Sequence, residues 1–216
     1  GANHGFRHVA GETYGMLVLD NHSFGGKRTK GEEMKKVLIL TSSPRAGGNS
    51  NAMATAFEKA AKARGAAVTR VDMNKVPGAG CCACMGCRKL SNTCVVKDRL
   101  GELLVAFRDT DVLAMAAPVW WLDVPVSLRR FVERWYSLLD ASFNSRLPPG
   151  KTVVLLLSQG ADATSFIDLP DRYKEMVGFL GVTDFHAIRH CSSEENPIGA
   201  NGVLEEVGKL AQVVAG

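Results

Sequence analysis

The stretch Met34-Lys35-Lys36-Val37-Leu38-Ile39-Leu40-Thr41-Ser42-Ser43-Pro44-Arg45-Ala46-Gly47-Gly48-Asn49-Ser50 decides the fold. Val37–Leu40 is an unbroken apolar run, the mark of a parallel strand buried on both faces rather than one. Beyond the polar, glycine-containing loop, Met53, Phe57, Ala60 and Ala61 recur at helical spacing and would share one face. Strand, polar turn and amphipathic helix in this order predict a βα unit.

The same alternation continues outward from that unit. Apolar runs at Val112–Ala117 and Val153–Leu157 predict two more buried strands, and Ala67–Asp72 and Asp184–Arg189 are weaker candidates. Leu128, Phe131, Val132, Trp135 and Leu138 form one helical stripe, and Leu204, Val207, Leu210, Ala211 and Val214 form another. Further helices are expected after Asp98 and from Asp171 to Leu180. Five strands alternating with five helices predict an α/β doubly wound parallel sheet with right-handed crossovers and helices on both faces. Ligands of such sheets sit beyond the carboxyl ends of the strands, at the point where strand order reverses.

With 216 residues the chain suits one well-buried domain. Residues 1–33 differ from the rest: they hold three of the five histidines, lack a sustained period and precede Met34, which reads like a natural start. They are expected to be an extension or arm outside the chemistry, with Met16–Leu19 able to pair at a sheet edge, and residues 34–216 are expected to be the working domain. No apolar run approaches the roughly 20 residues of a membrane span, and no export signal opens the chain. A cytoplasmic protein without membrane contact is expected. The net charge of +4 suits an anionic ligand, but no Lys/Arg block marks a nucleic-acid binder.

Two loops carry the chemistry. In Ser42–Ser50, Gly48 permits close backbone approach, while Ser43, Arg45, Asn49 and Ser50 offer donors at a helix N-terminus. That combination fits a phosphate monoester. Neither the P-loop pattern nor G-x-G-x-x-G is present. A plain βα turn capped by Ser50 is the structural alternative. In Pro118-Val119-Trp120-Trp121-Leu122, two adjacent tryptophans at a strand end offer a wall for a planar ring, with one of them expected to pack under the next helix as core.

Ser43-Pro44-Arg45…Gly48-Asn49-Ser50, Pro118-Val119-Trp120-Trp121 and Leu128-Arg129-Arg130-Phe131…Arg134-Trp135 together resemble the NADPH-dependent FMN reductase and flavodoxin-like oxidoreductase family. The resemblance implies a flavodoxin-like fold, FMN as cofactor, NAD(P)H as electron donor, a small-molecule acceptor and a homodimer or homotetramer. By that resemblance Ser43, Arg45, Gly48, Asn49 and Ser50 would hold the phosphate. Pro118, Val119, Trp120, Trp121 and Leu122 would line the isoalloxazine, and Ser158, Gln159 and Gly160 resemble a third flavin-contacting loop. A hydride would pass to flavin N5 and then, as electrons, to a quinone, flavin, nitro or azo compound, metal ion or cluster. The cofactor carries such chemistry, so no general acid or base is required of the protein. His186 and His190 are expected to be structural.

Five of six cysteines, Cys81, Cys82, Cys84, Cys87 and Cys94, fall in one short stretch. Cys81, Cys84, Cys87 and Cys94 follow C-x2-C-x2-C-x6-C, a spacing that suits a [4Fe–4S] cluster, with zinc and free thiols as alternatives. The iron–sulfur flavoprotein branch of the resembled family carries a similar compact motif. Cys94-Val95-Val96-Lys97-Asp98 also resembles its continuation, although Arg99 replaces a usual acid. An electron-transfer iron–sulfur flavoprotein that never meets a nicotinamide is the alternative function. Cys82 is left as a spare and Cys191 as an expected buried thiol.

Overall fold

The five apolar runs become five parallel strands in the computed structural model, which describes residues 34–89 and 93–216. They are β1 (Lys36–Thr41), β2 (Ala67–Asp72), β3 (Val112–Pro118), β4 (Thr152–Ser158) and β5 (Asp184–His190). Between and after them run α1 (Asn49–Ala63), α2 (Arg99–Asp109), α3 (Val126–Glu133), α4 (Leu169–Gly178) and α5 (Val203–Val214). The order across the sheet is β2-β1-β3-β4-β5, so it reverses between β1 and β3. This is the flavodoxin-like order, which confirms the expected class; sheets of this class take their ligands where the order reverses, here the β1/β3 boundary. The expectations for residues 1–33, including pairing of Met16–Leu19, lie outside the described residues.

Alternation along the strands separates two cores. Val37 and Ile39 face α1 and α5, packing with Met53, Phe57, Val207 and Ala211. Leu38 and Leu40 face the other helical layer, with Leu104, Phe107, Phe131 and Tyr173. Every residue of β4 is buried, as continuous apolar strands require when helices cover both faces. Burying one such Leu or Phe stabilises the fold by about 1.5–3 kcal/mol.

The helical stripe Leu128–Leu138 is one continuous apolar face but not one helix. The α-helix ends at Glu133 and tightens into a 3-10 turn over Arg134–Leu138. Phe107, Phe131 and Trp135 hold this junction together, with ring centroids 5.9–6.5 Å apart. Such aromatic pairs are worth about 0.5–1.5 kcal/mol each beyond their buried area. The junction thereby fixes the direction in which Arg134 leaves the helix. No helix among the described residues is long and apolar enough to cross a membrane.

Candidate functional site

The first loop leaves β1 at the switch point, tied to β3 by the Ser42 N–H bond to Ala116 O at 3.0 Å. Ser43 is buried and builds the loop: its Oγ accepts from the Arg45 N–H at 3.3 Å. Gly48 closes the turn onto Arg45 O at 2.9 Å. A Cβ at Gly48 would stand 2.7 Å from Ser43 Oγ and 3.1 Å from Arg45 O, so the close approach requires glycine. Gly48 is the N-cap of α1, no side chain caps it, and no acid stands in the first turn. The first-turn N–H groups and the helix dipole are therefore available to an anion. Arg45 is exposed beside them, Asn49 is half-buried, and Ser50 is buried at the helix start.

Two residues that the motif reading passed over hold this loop. Asn51 Nδ2 donates to Arg45 O at 2.8 Å, and Arg70 on β2 reaches Asn51 O and Oδ1 at 3.3 and 3.4 Å. The β1–β2 neighbour relation carries that signal, because it sets β2 beside the first βα unit.

The second loop corrects one expectation. Neither Trp120 nor Trp121 is core: they are 48% and 96% exposed, and the tryptophan buried under the helix is Trp135. Trp120 and Asp123 pair across a two-residue turn, with N···O distances of 2.8 and 3.2 Å. Its central residues Trp121 and Leu122 have φ of 46° and 73°. A bulky residue at positive φ costs on the order of 1–3 kcal/mol and persists only where the surroundings hold it. Here the hold is visible. Asp123 accepts from Tyr173 Oη at 3.0 Å and faces Arg129 at 3.7 Å, while Arg172 donates to Leu122 O at 3.0 Å. Burial, and then the Asp123 carboxylate, push the Tyr173 phenol well above its ordinary range, so it remains a donor.

In the third loop the side chains turn inward. Gln159 is buried, and its Nε2 donates to Asp162 O at 2.7 Å and Ser165 O at 3.1 Å. Ser158 Oγ lies 3.3 Å from His190 Nδ1, and His190 Nε2 lies 2.8 Å from Asn196 O. The backbone of Ser158 and Gln159 is engaged as well: Ser158 O accepts from the Val119 N–H at 2.8 Å and the Gln159 N–H donates to His190 O at 2.9 Å, so both residues build the loop and Gly160 alone of the three is exposed. His190 is fully buried in this network, and half-buried His186 meets Asp184 at 2.8 Å.

The cysteine segment follows β2 at the same end of the sheet. Cys81, Cys82, Cys84, Cys87 and Cys94 all line one cavity of about 340 Å³, with Val95, Val96, Met85 and Arg134 in its walls. Cys82, the spare, shares that wall. Cys81, Cys82 and Cys84 are exposed, Cys87 is buried and Cys94 is half-buried. Among the described residues, no three His, Cys, Asp or Glu side chains are gathered closely enough to hold a metal ion. The Gly86 N–H, then the Cys82 side chain, hold the Cys84 thiol below its ordinary range, whereas burial and then Cys94 push Cys87 up. Cys191 is half-buried rather than buried.

Arginines pin this segment to α3 and to the chain just beyond it. Arg130 donates to Gly78 O and Met73 O, both at 2.9 Å, and Arg146 donates to Cys87 O at 3.1 Å. Arg88 bonds to Tyr136 Oη at 2.8 Å and lies 4.4 Å from the Phe143 ring centre. Arg134 grips both oxygens of Asp98, at 2.6 and 2.8 Å.

A doubly wound sheet with a free helix N-terminus at its β1/β3 boundary and an aromatic turn after β3 defines a class, the flavodoxin-like fold. The chain belongs to the family described as flavodoxin-like fold, which it matches over residues 35–212. It is 27% identical over 182 residues to an iron–sulfur flavoprotein of Methanosarcina thermophila, covering 83% of this chain and 95% of that one. It is 33% identical over 94 residues to an FMN-dependent NADH:quinone oxidoreductase of Thiobacillus denitrificans, covering 40% of this chain and 46% of that one. An FMN-dependent NADH-azoreductase from Bacillus anthracis, solved in complex with FMN, shares the fold at 15% identity. Its TM-score is 0.68, with 85% of this chain and 100% of that one covered.

Proposed function

We propose that this protein is an FMN-dependent oxidoreductase that takes electrons from NAD(P)H and passes them to a small acceptor or to an iron–sulfur cluster. The observation that carries the reading is the pairing of a first helical turn without acids at the β1/β3 switch point with a strained, braced tryptophan turn just after β3. FMN fits it: a dianionic phosphate matches Arg45, Asn49 and the first-turn N–H groups of α1. Bound FMN would supply the hydride-accepting N5 and a store of one or two electrons.

The chain's own part is binding, orientation and electrostatics. Gly48 and Ser43 shape the cradle, while Ser50 contributes through its place in the first turn. Trp120, Trp121 and Leu122, with Pro118 and Val119 at the strand end, offer the wall for the ring. Gly160 closes the far side, on a loop that Ser158 and Gln159 shape from within. Exposed Trp120, Trp121, Leu122 and Val126, close together in the chain after β3, also support a homodimer or homotetramer. A cytoplasmic setting, without membrane or nucleic-acid partners, belongs to the same proposal. Anaerobic addition of NADH or NADPH to the FMN-loaded protein tests it. Loss of the flavin's visible absorbance is expected, and persistent colour with both donors overturns direct nicotinamide use.

The cysteine cavity and the iron–sulfur name of one relative favour a second centre at Cys81, Cys84, Cys87 and Cys94. The donor types fit it: thiols at C-x2-C-x2-C-x6-C spacing in one cavity with apolar walls and a buried cation. The thiols would have to draw together to ligate, since no three are gathered among the described residues. If nicotinamide fails to bleach the protein while an artificial reductant succeeds, the electron-transfer reading stands instead.

A further inference from the structure

Arg134 lines the cysteine cavity, and its side chain is only 3% exposed. Its partner Asp98 does not line that cavity and sits behind it, at the N-cap of α2, where Oδ1 also accepts from the Gly101 N–H at 2.9 Å. The two Nη groups are spent on the carboxylate, yet Nε is fully buried and has no partner among the described residues. A buried donor without a partner costs about 1–3 kcal/mol, so such groups call for an explanation. The pair is thus a fixed dipole with its positive end at a wall built of thiols. Burial screens it little.

We infer that Arg134 sets the reduction potential of the centre held by the cysteine cavity, its guanidinium favouring the reduced, more negative state. This rests on the cysteine-cluster reading of the proposed function. Four thiolates make such a centre anionic, and one added electron makes it more so. A nearby fixed cation, and a buried N–H at the same wall with no other partner to bond among the described residues, both stabilise that extra charge. The electron comes from reduced flavin in the proposed reaction and from dithionite in the test, and no bond or proton changes hands at Arg134. Asp98 acts as a positioning residue: it holds the guanidinium and, being an anion, partly cancels its field. Arg146 is engaged by the carbonyls of Ser137 and Cys87, Arg88 by Tyr136, and Arg130 by the carbonyls of Gly78 and Met73.

The sign of two substitutions separates this role from a merely structural one. Wild type, Arg134→Gln, Arg134→Lys and Asp98→Asn are reconstituted anaerobically with ferrous iron and sulfide, and iron and sulfide are counted. A dithionite redox titration is then followed by absorbance and EPR. Arg134→Gln is expected to disfavour reduction about tenfold, a fall of about 59 mV for one electron. Arg134→Lys should fall less, and Asp98→Asn should rise. Should Arg134→Gln not load, Arg134→Lys and Asp98→Asn carry the same opposite-sign test. Well-folded wild type that takes up no iron overturns both the cluster reading and this inference. A loaded Arg134 variant with the wild-type potential, or variants at Arg134 and Asp98 that shift together, overturns this inference alone.

Discussion

Tyr173 Oη donates to Asp123 Oδ1 at 3.0 Å, so a fully buried residue of α4 holds the side chain of the residue whose backbone closes the tryptophan turn after β3. The second oxygen of Asp123 faces Arg129 and Arg172 at 3.7 and 4.0 Å. A strained exposed turn is thereby anchored to the core of the helical layer rather than to its own strand. Tyr173→Phe should lower stability by about 1–2 kcal/mol, because it leaves a half-buried carboxylate short of a donor. It should also weaken FMN binding several-fold by loosening the ring wall. Urea unfolding and flavin fluorescence titration read the two effects separately, and unchanged affinity would cut the link between brace and site.

Trp121 presents the reverse case, strain held for function. At 96% exposure its ring contributes little to folding, while its φ of 46° disfavours any residue but glycine. Trp121→Gly should therefore stabilise the flavin-free protein by about 1 kcal/mol. The same change should weaken FMN binding roughly tenfold, the loss of one stacked ring. A destabilised variant would show that the turn is not strained.

The phosphate cradle predicts another separation. Arg45 is exposed and makes no ion pair among the described residues, so Arg45→Ala should leave stability within about 0.5 kcal/mol. Losing a charged hydrogen bond to a phosphate should still cost about 1.5–3 kcal/mol of FMN binding, roughly ten- to a hundredfold in Kd. Asn49→Ala should cost less. Unchanged affinity in both variants removes the assignment of this loop.

The sheet was legible because its strands are buried on both faces. Val112–Ala117 and Val153–Leu157 could not be amphipathic helices, and each extends by only one or two residues as β3 and β4. β2 and β5, which lie at the edges, gave the weaker signal for the same reason. The break at Arg134 was not legible, since a 3-10 turn keeps the apolar stripe running. In the candidate site, the residue pattern pointed to the loop proposed to hold phosphate but not to its fastenings. Asn51, Arg70 and the Asp123–Tyr173 brace depend on strand order and on contacts 50 residues apart in sequence. The inward turn of Ser158 and Gln159 was likewise invisible, because a polar residue after a strand reads the same whether it faces a ligand or its own loop.

The Asp98–Arg134 pair makes a prediction about pH. Burial works against the Asp98 charge, but the Arg134 hydrogen bonds and the Gly101 N–H outweigh it and hold the carboxyl below its ordinary range. A carboxyl depressed in the folded state stabilises the protein above its unfolded pKa, about 3.9. That contribution disappears as pH falls through the lower, folded value. Wild type should therefore exceed Asp98→Asn in stability most clearly at pH of about 5–7, and the gap should close below about pH 4. The carboxylate faces Arg134 just beyond α3 and the first-turn N–H groups of α2, both of which favour its charged form. Urea midpoints of both proteins across this pH range measure the gap. A gap that stays constant with pH would mean that Asp98 holds the cysteine wall through shape and not through charge.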